Sequence, residues 1–126
     1  MSGLQSLLTC NHMVVYQADR ERTDRLFHAL SDATRRDIVS IVLHEEQSVS
    51  ELARRHSMSF AAIHKHVAVL ERAELVTKQR RGREQLVRAN ADTLRRVHTL
   101  LDGIEAVWRD RIDQIEAVLP KPDEGA

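Results

Sequence analysis

The chain has 126 residues, of which 30% are charged and 42% are hydrophobic, and its 19 basic and 19 acidic side chains give a net charge of zero. This length predicts one compact domain with tails, and the neutral total excludes a uniformly basic, histone-like protein. Cys10 is the only cysteine, which excludes an internal disulfide and a four-cysteine zinc site. Because the apolar runs are short and the first twelve residues lack the features of a secretory signal, we expect a cytoplasmic protein without a membrane span.

The charges are unevenly distributed along the chain. Residues 48–90 contain nine basic and four acidic side chains, a local net charge of +5. Residues 101–126 contain three basic and seven acidic side chains, a local net charge of −4. A basic middle segment followed by an acidic end indicates where a polyanion would bind.

The first half of the chain is predicted to be helical. No clear period is present in residues 1–17, which we interpret as an N-terminal leader. The spacing of apolar residues predicts a helix over residues 18–30 and a second over residues 33–44. Asp32 lies immediately before the second helix, where its carboxylate can accept hydrogen bonds from the first free amides.

Two further helices are predicted next, separated by a tight connection. Residues 48–50 are too short for more than a strand stub, and Ser50 is the expected N-cap of a short helix over residues 51–56. Ser59 is the expected N-cap of a helix over residues 60–73. The apolar stripe of that helix consists of Ile63, Val67 and Leu70.

The period then changes to that of strands. Residues 75–80 and 85–88 are two strand-like runs around Gly82, whose backbone tolerates the positive φ of a hairpin turn. A two-stranded hairpin is marginally stable alone, so we expect it to pack on the helices.

A long helix is predicted over residues 90–119, ending before Pro120. Its length is roughly 43 Å at 1.5 Å per residue. Its apolar residues recur at heptad-like intervals, which favours pairing with a second copy of the chain. The expected dimer interface combines the first helix with this last one: Leu26, Phe27, Leu94, Val97, Leu101, Ile104, Trp108, Ile112 and Ile115.

A short helix, a tight turn, an amphipathic helix and a basic hairpin follow one another in the order of a winged helix-turn-helix. The predicted fold is therefore mostly α with a small β-hairpin wing, in which residues 18–89 form the DNA-binding domain, residues 90–119 a C-terminal dimerisation helix and residues 120–126 a tail. The helix after the turn can enter the major groove of double-stranded DNA, and the basic hairpin can reach an adjacent groove or phosphates. The expected DNA-binding residues are Ser59, Phe60, Ala61, Ala62, His64, Lys65, His66, Lys78, Arg80, Arg81 and Arg83.

Four segments carry a resemblance to a known family. Residues 26–39, LFHALSDATRRDIV, look like the opening of ArsR-type winged-helix repressors, and residues 48–53, SVSELA, resemble the start of that family's third helix. Residues 66–73, HVAVLERA, match the end of its recognition helix, and the hairpin over residues 80–87 is similar to its wing. The resemblance implies a homodimer that binds an operator and represses transcription until a signal releases it.

Two departures from the family pattern affect the expectations. The family usually has Gly at the position of Glu74, and a left-handed residue there would cost a non-glycine about 1 kcal/mol, so we expect a different junction geometry. Members commonly carry Gln, Ser or Thr where this chain has Phe60, Ala61 and Ala62. These apolar side chains cannot donate hydrogen bonds to base edges but can contact thymine methyl groups, so we expect a greater dependence on DNA shape.

No cofactor or metal site is predicted. The third helix lacks the Cys-x-Cys pair through which many family members sense metals, and His98 and Asp102 are too few ligands for a tetrahedral site. An enzyme is not expected, because there is no phosphate-binding loop, nucleophile elbow or HExxH motif. Two alternatives to a repressor stay open: a metal- or thiol-responsive sensor on the same fold, and a protein-interaction module that uses the long C-terminal helix.

Overall fold

The computed structural model describes residues 17–119, so Cys10, most of the expected leader and the tail lie outside the described residues. The chain divides into two compact units, Met1–Thr93 and Leu94–Ala126. The described elements are a helix α1 over residues 17–30, α2 (Ala33–His44), β1 (Gln47–Ser48), α3 (Val49–His56), α4 (Phe60–Arg72), β2 (Val76–Arg81), β3 (Glu84–Ala89) and α5 (Ala91–Val118). Gln17, expected in the leader, is already helical.

A three-stranded antiparallel sheet, in the order β1-β3-β2, replaces the expected two-stranded hairpin. The strand stub β1 pairs with β3 through Gln47 opposite Val87 and Ser48 opposite Leu86. Strands β2 and β3 pair along their whole length, from Val76 opposite Ala89 to the tip. We call the hairpin of β2 and β3 the wing. Strand β1 thus connects the wing to the start of α3.

Helix α3 begins two residues earlier than expected, so the assignment of Ser50 as its N-cap was wrong. The cap is Ser48, which has an extended backbone and whose hydroxyl oxygen accepts the backbone N–H of Glu51 at 3.1 Å. Ser48 can serve both as the end of β1 and as the cap because a strand and an N-cap use the same extended backbone region. The earlier start buries Val49 beside Leu52.

Two non-glycine residues with a left-handed backbone flank α4. Ser57, with a φ of 49°, ends α3, and Glu74, with a φ of 64°, follows α4. The same pair of hydrogen bonds closes both helices: the N–H of Met58 donates to the Ala53 carbonyl, and the N–H of Leu75 donates to the Leu70 carbonyl, with a shorter bond nested inside each. This is the Schellman arrangement, in which glycine is usual.

The expectation of a different geometry at Glu74 was therefore wrong. Its backbone adopts the left-handed conformation, and its side chain accepts a hydrogen bond from the Arg22 Nε at 2.6 Å. Burial explains why the chain accepts this conformation. Leu70 and Leu75 on either side of the turn are fully buried, and a different turn would remove one of them from the core.

The two arginines of the Thr34-Arg35-Arg36 segment secure the end of α1. Arg35 donates to the carbonyls of Ala29 at 2.8 Å and His28 at 3.1 Å, and Arg36 donates to the carbonyl of Leu30 at 2.9 Å. The last carbonyls of a helix have no partner within it, and cationic donors there also oppose the negative end of the helix dipole. These arginines are thus structural and hold α1 against the start of α2.

Asp32 caps α2 as predicted. Its carboxylate accepts the backbone N–H of Arg35 at 3.0 Å, and this hydrogen bond holds the pKa of Asp32 below its ordinary value of 3.8. Burial opposes this effect by a smaller amount, and the positive charge of Arg35 lowers the pKa by a still smaller one. The cap therefore favours the ionised carboxylate.

Candidate nucleic-acid interface

Burial fixes the orientation of α4. Ile63, Val67 and Leu70, the predicted apolar stripe, are fully buried in the single chain. The opposite side of its N-terminal half is consequently in solvent, where Phe60 is 52% exposed and Lys65 is exposed. Ser59 caps the helix as predicted, accepting the backbone N–H of Ala62 at 3.1 Å. The buried stripe thus holds α4 against the core, and the other side of its first two turns faces solvent.

An aromatic pair lies on this exposed surface. The rings of Phe60 and His64 are stacked, with centroids 6.0 Å apart and planes inclined by 25°. Because Phe60 keeps half of its surface in water, it gains only part of the free energy of burial and contributes little to the core. The stack also restricts the rotamers of His64 and holds its imidazole beside the ring.

His66 faces in a different direction. Its side chain is 21% exposed, and its Nδ1 lies 3.4 Å from Arg35 Nη1 and 3.8 Å from the carboxylate of Asp32. These contacts belong to the junction of α1, α2 and α4. His66, which was expected among the DNA-binding residues, therefore connects α4 to the start of α2.

The tip of the wing is basic and exposed. Gly82 has a φ of 63°, which supplies the predicted turn. Arg80, Arg81 and Arg83 around it are all exposed. Lys78 differs from them, because its side chain is 18% exposed and its Nζ lies 3.5 Å from the carboxylate of Glu71 on α4. Strand alternation turns Lys78 toward the helix, so its charge is partly neutralised within the domain.

Glu46 lies outside the wing but forms ion pairs with it, which the sequence reasoning missed. Its carboxylate lies 3.0 Å from Arg88 Nε and 3.7 Å from Arg81 Nη1. It comes immediately before β1, and only the pairing of β1 with β3 brings it beside the wing. The sequence did indicate a short strand at this position, but spacing alone could not identify the strand with which it pairs. Glu46 orients two arginines of the sheet through ion pairs.

Helix α5, described by itself, carries a row of exposed apolar side chains. Ile104 is 64% exposed, Trp108 is 62% exposed and Ile115 is 51% exposed, and Leu101 is nearly as accessible. Such a row is unusual for a lone helix in water. Among the other residues expected at the dimer interface, Phe27 is exposed, Leu94 and Ile112 are half-buried and Val97 is buried in the single chain.

Leu26 was wrongly placed at the dimer interface. Its side chain is fully buried in the single chain, as is that of Ala29 one turn later. The apolar residues of α1 were interpreted as a surface for a second copy of the chain, whereas Leu26 and Ala29 contribute to the core. Phe27, on a different side of the same helix, keeps 40% of its surface exposed.

The described residues also bear on metals and membranes. Within residues 17–119, no group of three His, Cys, Asp or Glu side chains is arranged to hold a metal ion. None of the helices in that part of the chain has both the length and the apolarity to cross a bilayer.

Comparison with known proteins identifies the family. A helix-turn-helix domain model matches residues 30–79. The HTH-type transcriptional regulator Rv2034 of Mycobacterium tuberculosis is 37% identical over 79 residues, which make up 63% of this chain and 74% of that protein. A solved ArsR-like transcriptional regulator from Rhodococcus sp. RHA1 is 32% identical, covers 83% of this chain and 99% of its own, and superposes with a TM-score of 0.72. The chain belongs to the ArsR-like family of helix-turn-helix transcriptional regulators.

This ArsR-like regulator also shares its fold with a homodimeric winged helix-turn-helix DNA-binding domain, Mb0332 from Mycobacterium bovis. The two are 22% identical over 71% of this chain and 83% of the other, with a TM-score of 0.60. The likeness confirms the predicted winged helix-turn-helix fold. Within that fold, α3 and α4 are the helix-turn-helix, and the hairpin after α4 is the wing.

Proposed function

We propose that this regulator is a homodimeric repressor that binds an inverted-repeat operator in double-stranded DNA and acts in the cytoplasm by binding rather than by catalysis. One observation carries the proposal: the exposed N-terminal half of α4 lies in the same domain as an exposed arginine-rich wing tip. A recognition helix needs one face anchored in the core and the other free to enter the major groove, and α4 meets both conditions.

Base recognition falls to the start of α4. Ser59, Phe60, Ala61 and Ala62 form its first turn, and Phe60 and Ala61 are exposed. Apolar side chains in the major groove contact the C5 methyl group of thymine, which no other DNA base carries. One turn further on, His64 and Lys65 supply hydrogen-bond donors for guanine or for phosphates. The proposed operator therefore contains thymines at the positions that face the first turn of α4.

Phosphate binding falls mainly to the wing tip. Arg80, Arg81 and Arg83 are exposed cations on a short hairpin, and contacts of this kind position a protein on DNA without reading its sequence. Arg81 shares Glu46 with Arg88, so part of its charge is already compensated. Lys78 forms an ion pair with Glu71, so it contributes less to phosphate binding.

Homodimerisation through α5 accounts for its exposed apolar row. Leu101, Ile104, Trp108 and Ile115 follow intervals of three, four and seven residues, which is the pattern of a helix that packs along a second helix. Pairing with another copy would place two recognition helices about one turn of DNA apart, ~34 Å, and would match them to an inverted repeat. The Mycobacterium bovis neighbour is homodimeric, which supports pairing with a second copy.

The proposal is tested by selecting binding sites from random DNA and then measuring three variants on the selected operator. Lys65→Ala should change the preferred sequence, because it alters a base-reading position. Arg83→Ala should weaken the operator and unrelated DNA by a similar factor, because it removes a phosphate contact. Lys78→Ala is the matched control: it removes one charge from the same wing and should change affinity less than Arg83→Ala.

Two results would refute the proposal. One is a selection that enriches no sequence. The other is wild-type affinity and preference in both Lys65→Ala and Arg83→Ala. The first result, with a dimer still present in solution, would favour the alternative in which α5 serves a protein interaction and DNA binding is incidental.

A further inference from the structure

A groove of about 230 Å³ lies between α1 and the C-terminal half of α4, within the first unit. Arg25 and His28 of α1 and Arg72 of α4 line its sides, and Val69 and Ala73 form its floor. Ala73 is 3% exposed, whereas both arginines and the histidine are exposed. The groove thus combines a small apolar floor with three nitrogen-bearing side chains that converge from two helices.

The cations of this groove form no ion pair. Within residues 17–119, neither guanidinium takes part in an ion pair or a side-chain hydrogen bond, and the imidazole of His28 has no partner either. Of the acidic residues nearby in the sequence, Glu74 is paired with Arg22 and Glu71 with Lys78, and neither Glu21 nor Asp24 forms an ion pair with the cations of the groove. Two like charges facing one cleft repel each other, so the arrangement is stabilised when an anion lies between them.

The carbonyl groups at the helix ends beside the groove do not use these side chains as hydrogen-bond donors. The carbonyl of His28 accepts from Arg35, and that of Glu71 accepts from the N–H of Glu74. Cations near helix C-termini often serve to compensate free carbonyls, but these carbonyls already have donors. Arg25, His28 and Arg72 are therefore available to a ligand.

The groove is also fixed in shape. At one end the Arg22–Glu74 ion pair, at 2.6 Å, joins α1 to the turn after α4. At the other end Arg35 holds the last carbonyls of α1 while its Nη1 lies 3.4 Å from His66 of α4. Side chains on helices held at both ends lose less freedom on binding, which favours affinity.

We propose that this groove is a binding site for a small anion with two carboxylate or phosphate groups, with Arg25 and Arg72 clamping its oxygen atoms and His28 donating a further hydrogen bond. Planar guanidinium groups bind phosphate and carboxylate oxygens in a two-pronged geometry, and both ligand chemistries share this recognition. A volume of about 230 Å³ holds roughly seven waters at ~30 Å³ each, which suits a pyrophosphate or a short dicarboxylate. The Val69 and Ala73 floor suits a short carbon chain.

The site lies away from the DNA-reading end of the same helix. Ser59 and Phe60 begin α4, and Arg72 ends it, so about twelve residues or ~18 Å separate the two ends. The anion site is thus distinct from the proposed phosphate contacts of DNA, and it does not depend on the proposed function.

The test is a titration of the full chain with sodium pyrophosphate and, separately, sodium succinate, without DNA and at constant ionic strength. Amide chemical shifts are followed by NMR. We expect saturable shifts at residues of the groove, and the ligand that binds more tightly tells whether phosphate or carboxylate is preferred. The double variant Arg25→Ala/Arg72→Ala should lose at least tenfold in affinity.

Two further variants guard against non-specific explanations. Arg54→Ala/Arg55→Ala removes the same net charge from exposed positions elsewhere in the unit and should bind as the wild type does. Arg25→Lys/Arg72→Lys keeps the charge and the fold and should bind with intermediate affinity. The proposal is overturned if neither anion gives saturable shifts, or if removing the groove arginines costs no more affinity than removing the control pair.

Discussion

Replacement of Glu74 tests why α4 ends as it does. The residue has a φ of 64°, and its side chain accepts from Arg22 at 2.6 Å. Glu74→Ala removes the ion pair and keeps the left-handed backbone. Glu74→Gly removes the ion pair and also the steric cost of that backbone. The comparison of these two variants separates the two contributions.

The magnitudes follow from exposure and backbone geometry. The side chains of Arg22 and Glu74 are 43% and 50% exposed, so solvent screens the pair and its loss should cost only about 0.2–1 kcal/mol. A left-handed backbone costs a non-glycine residue roughly 1–2 kcal/mol, against which glycine loses more entropy on folding, by about 0.5–1 kcal/mol. Glu74→Gly should therefore be more stable than Glu74→Ala by about 1 kcal/mol and close to the wild type.

The assay is equilibrium unfolding in urea for the wild type, both Glu74 variants and Arg22→Ala. Arg22→Ala should match Glu74→Ala, because each removes the same ion pair. A double variant, Arg22→Ala/Glu74→Ala, should cost no more than either change alone. If Glu74→Gly is less stable than Glu74→Ala, the left-handed backbone is not strained. The inference that Glu74 is strained because the family usually has glycine at this position would then be wrong.

Three other changes test separate parts of the fold. Ser59→Ala should lower the free energy of unfolding by about 1 kcal/mol in urea, because the N–H of Ala62 loses its acceptor; an unchanged value would contradict the cap. The pKa of Asp32 is lowered on folding, so its contribution is present at neutral pH and is lost as the pH falls below 3.8. Urea unfolding from pH 6 to pH 3 should show the advantage of the wild type over Asp32→Asn shrinking, and a constant difference would contradict that assignment. Trp108→Glu should convert the proposed dimer to a monomer in sedimentation experiments, and a persistent dimer would place the interface elsewhere.

The sequence predicted the fold well wherever local signals were strong. The stripe of Ile63, Val67 and Leu70 is fully buried, and Asp32, Ser59 and Gly82 occupy the caps and the turn predicted for them. Periodicity and turn chemistry act within a few residues, so spacing alone reveals them.

The errors have a common physical cause, which is pairing between distant segments. Strand β1 has two residues, and its place beside β3 depends on contacts about forty positions away. For the same reason the sequence did not reveal the ion pairs of Glu46 with Arg81 and Arg88. Leu26 was misplaced because an apolar residue on a helix can face either its own core or a partner, and spacing does not distinguish the two.

The dependence of operator affinity on salt tests the central claim most directly. Arg80, Arg81 and Arg83 give three exposed cations per chain, and hence six per dimer, on the proposed phosphate-binding surface. If each neutralises a phosphate, log K should fall with log[salt] with a slope of about −5, and Arg80→Ala/Arg83→Ala should bring it to about −2. A slope near zero, or one that this double variant leaves unchanged, would contradict the account that α4 and the wing bind DNA.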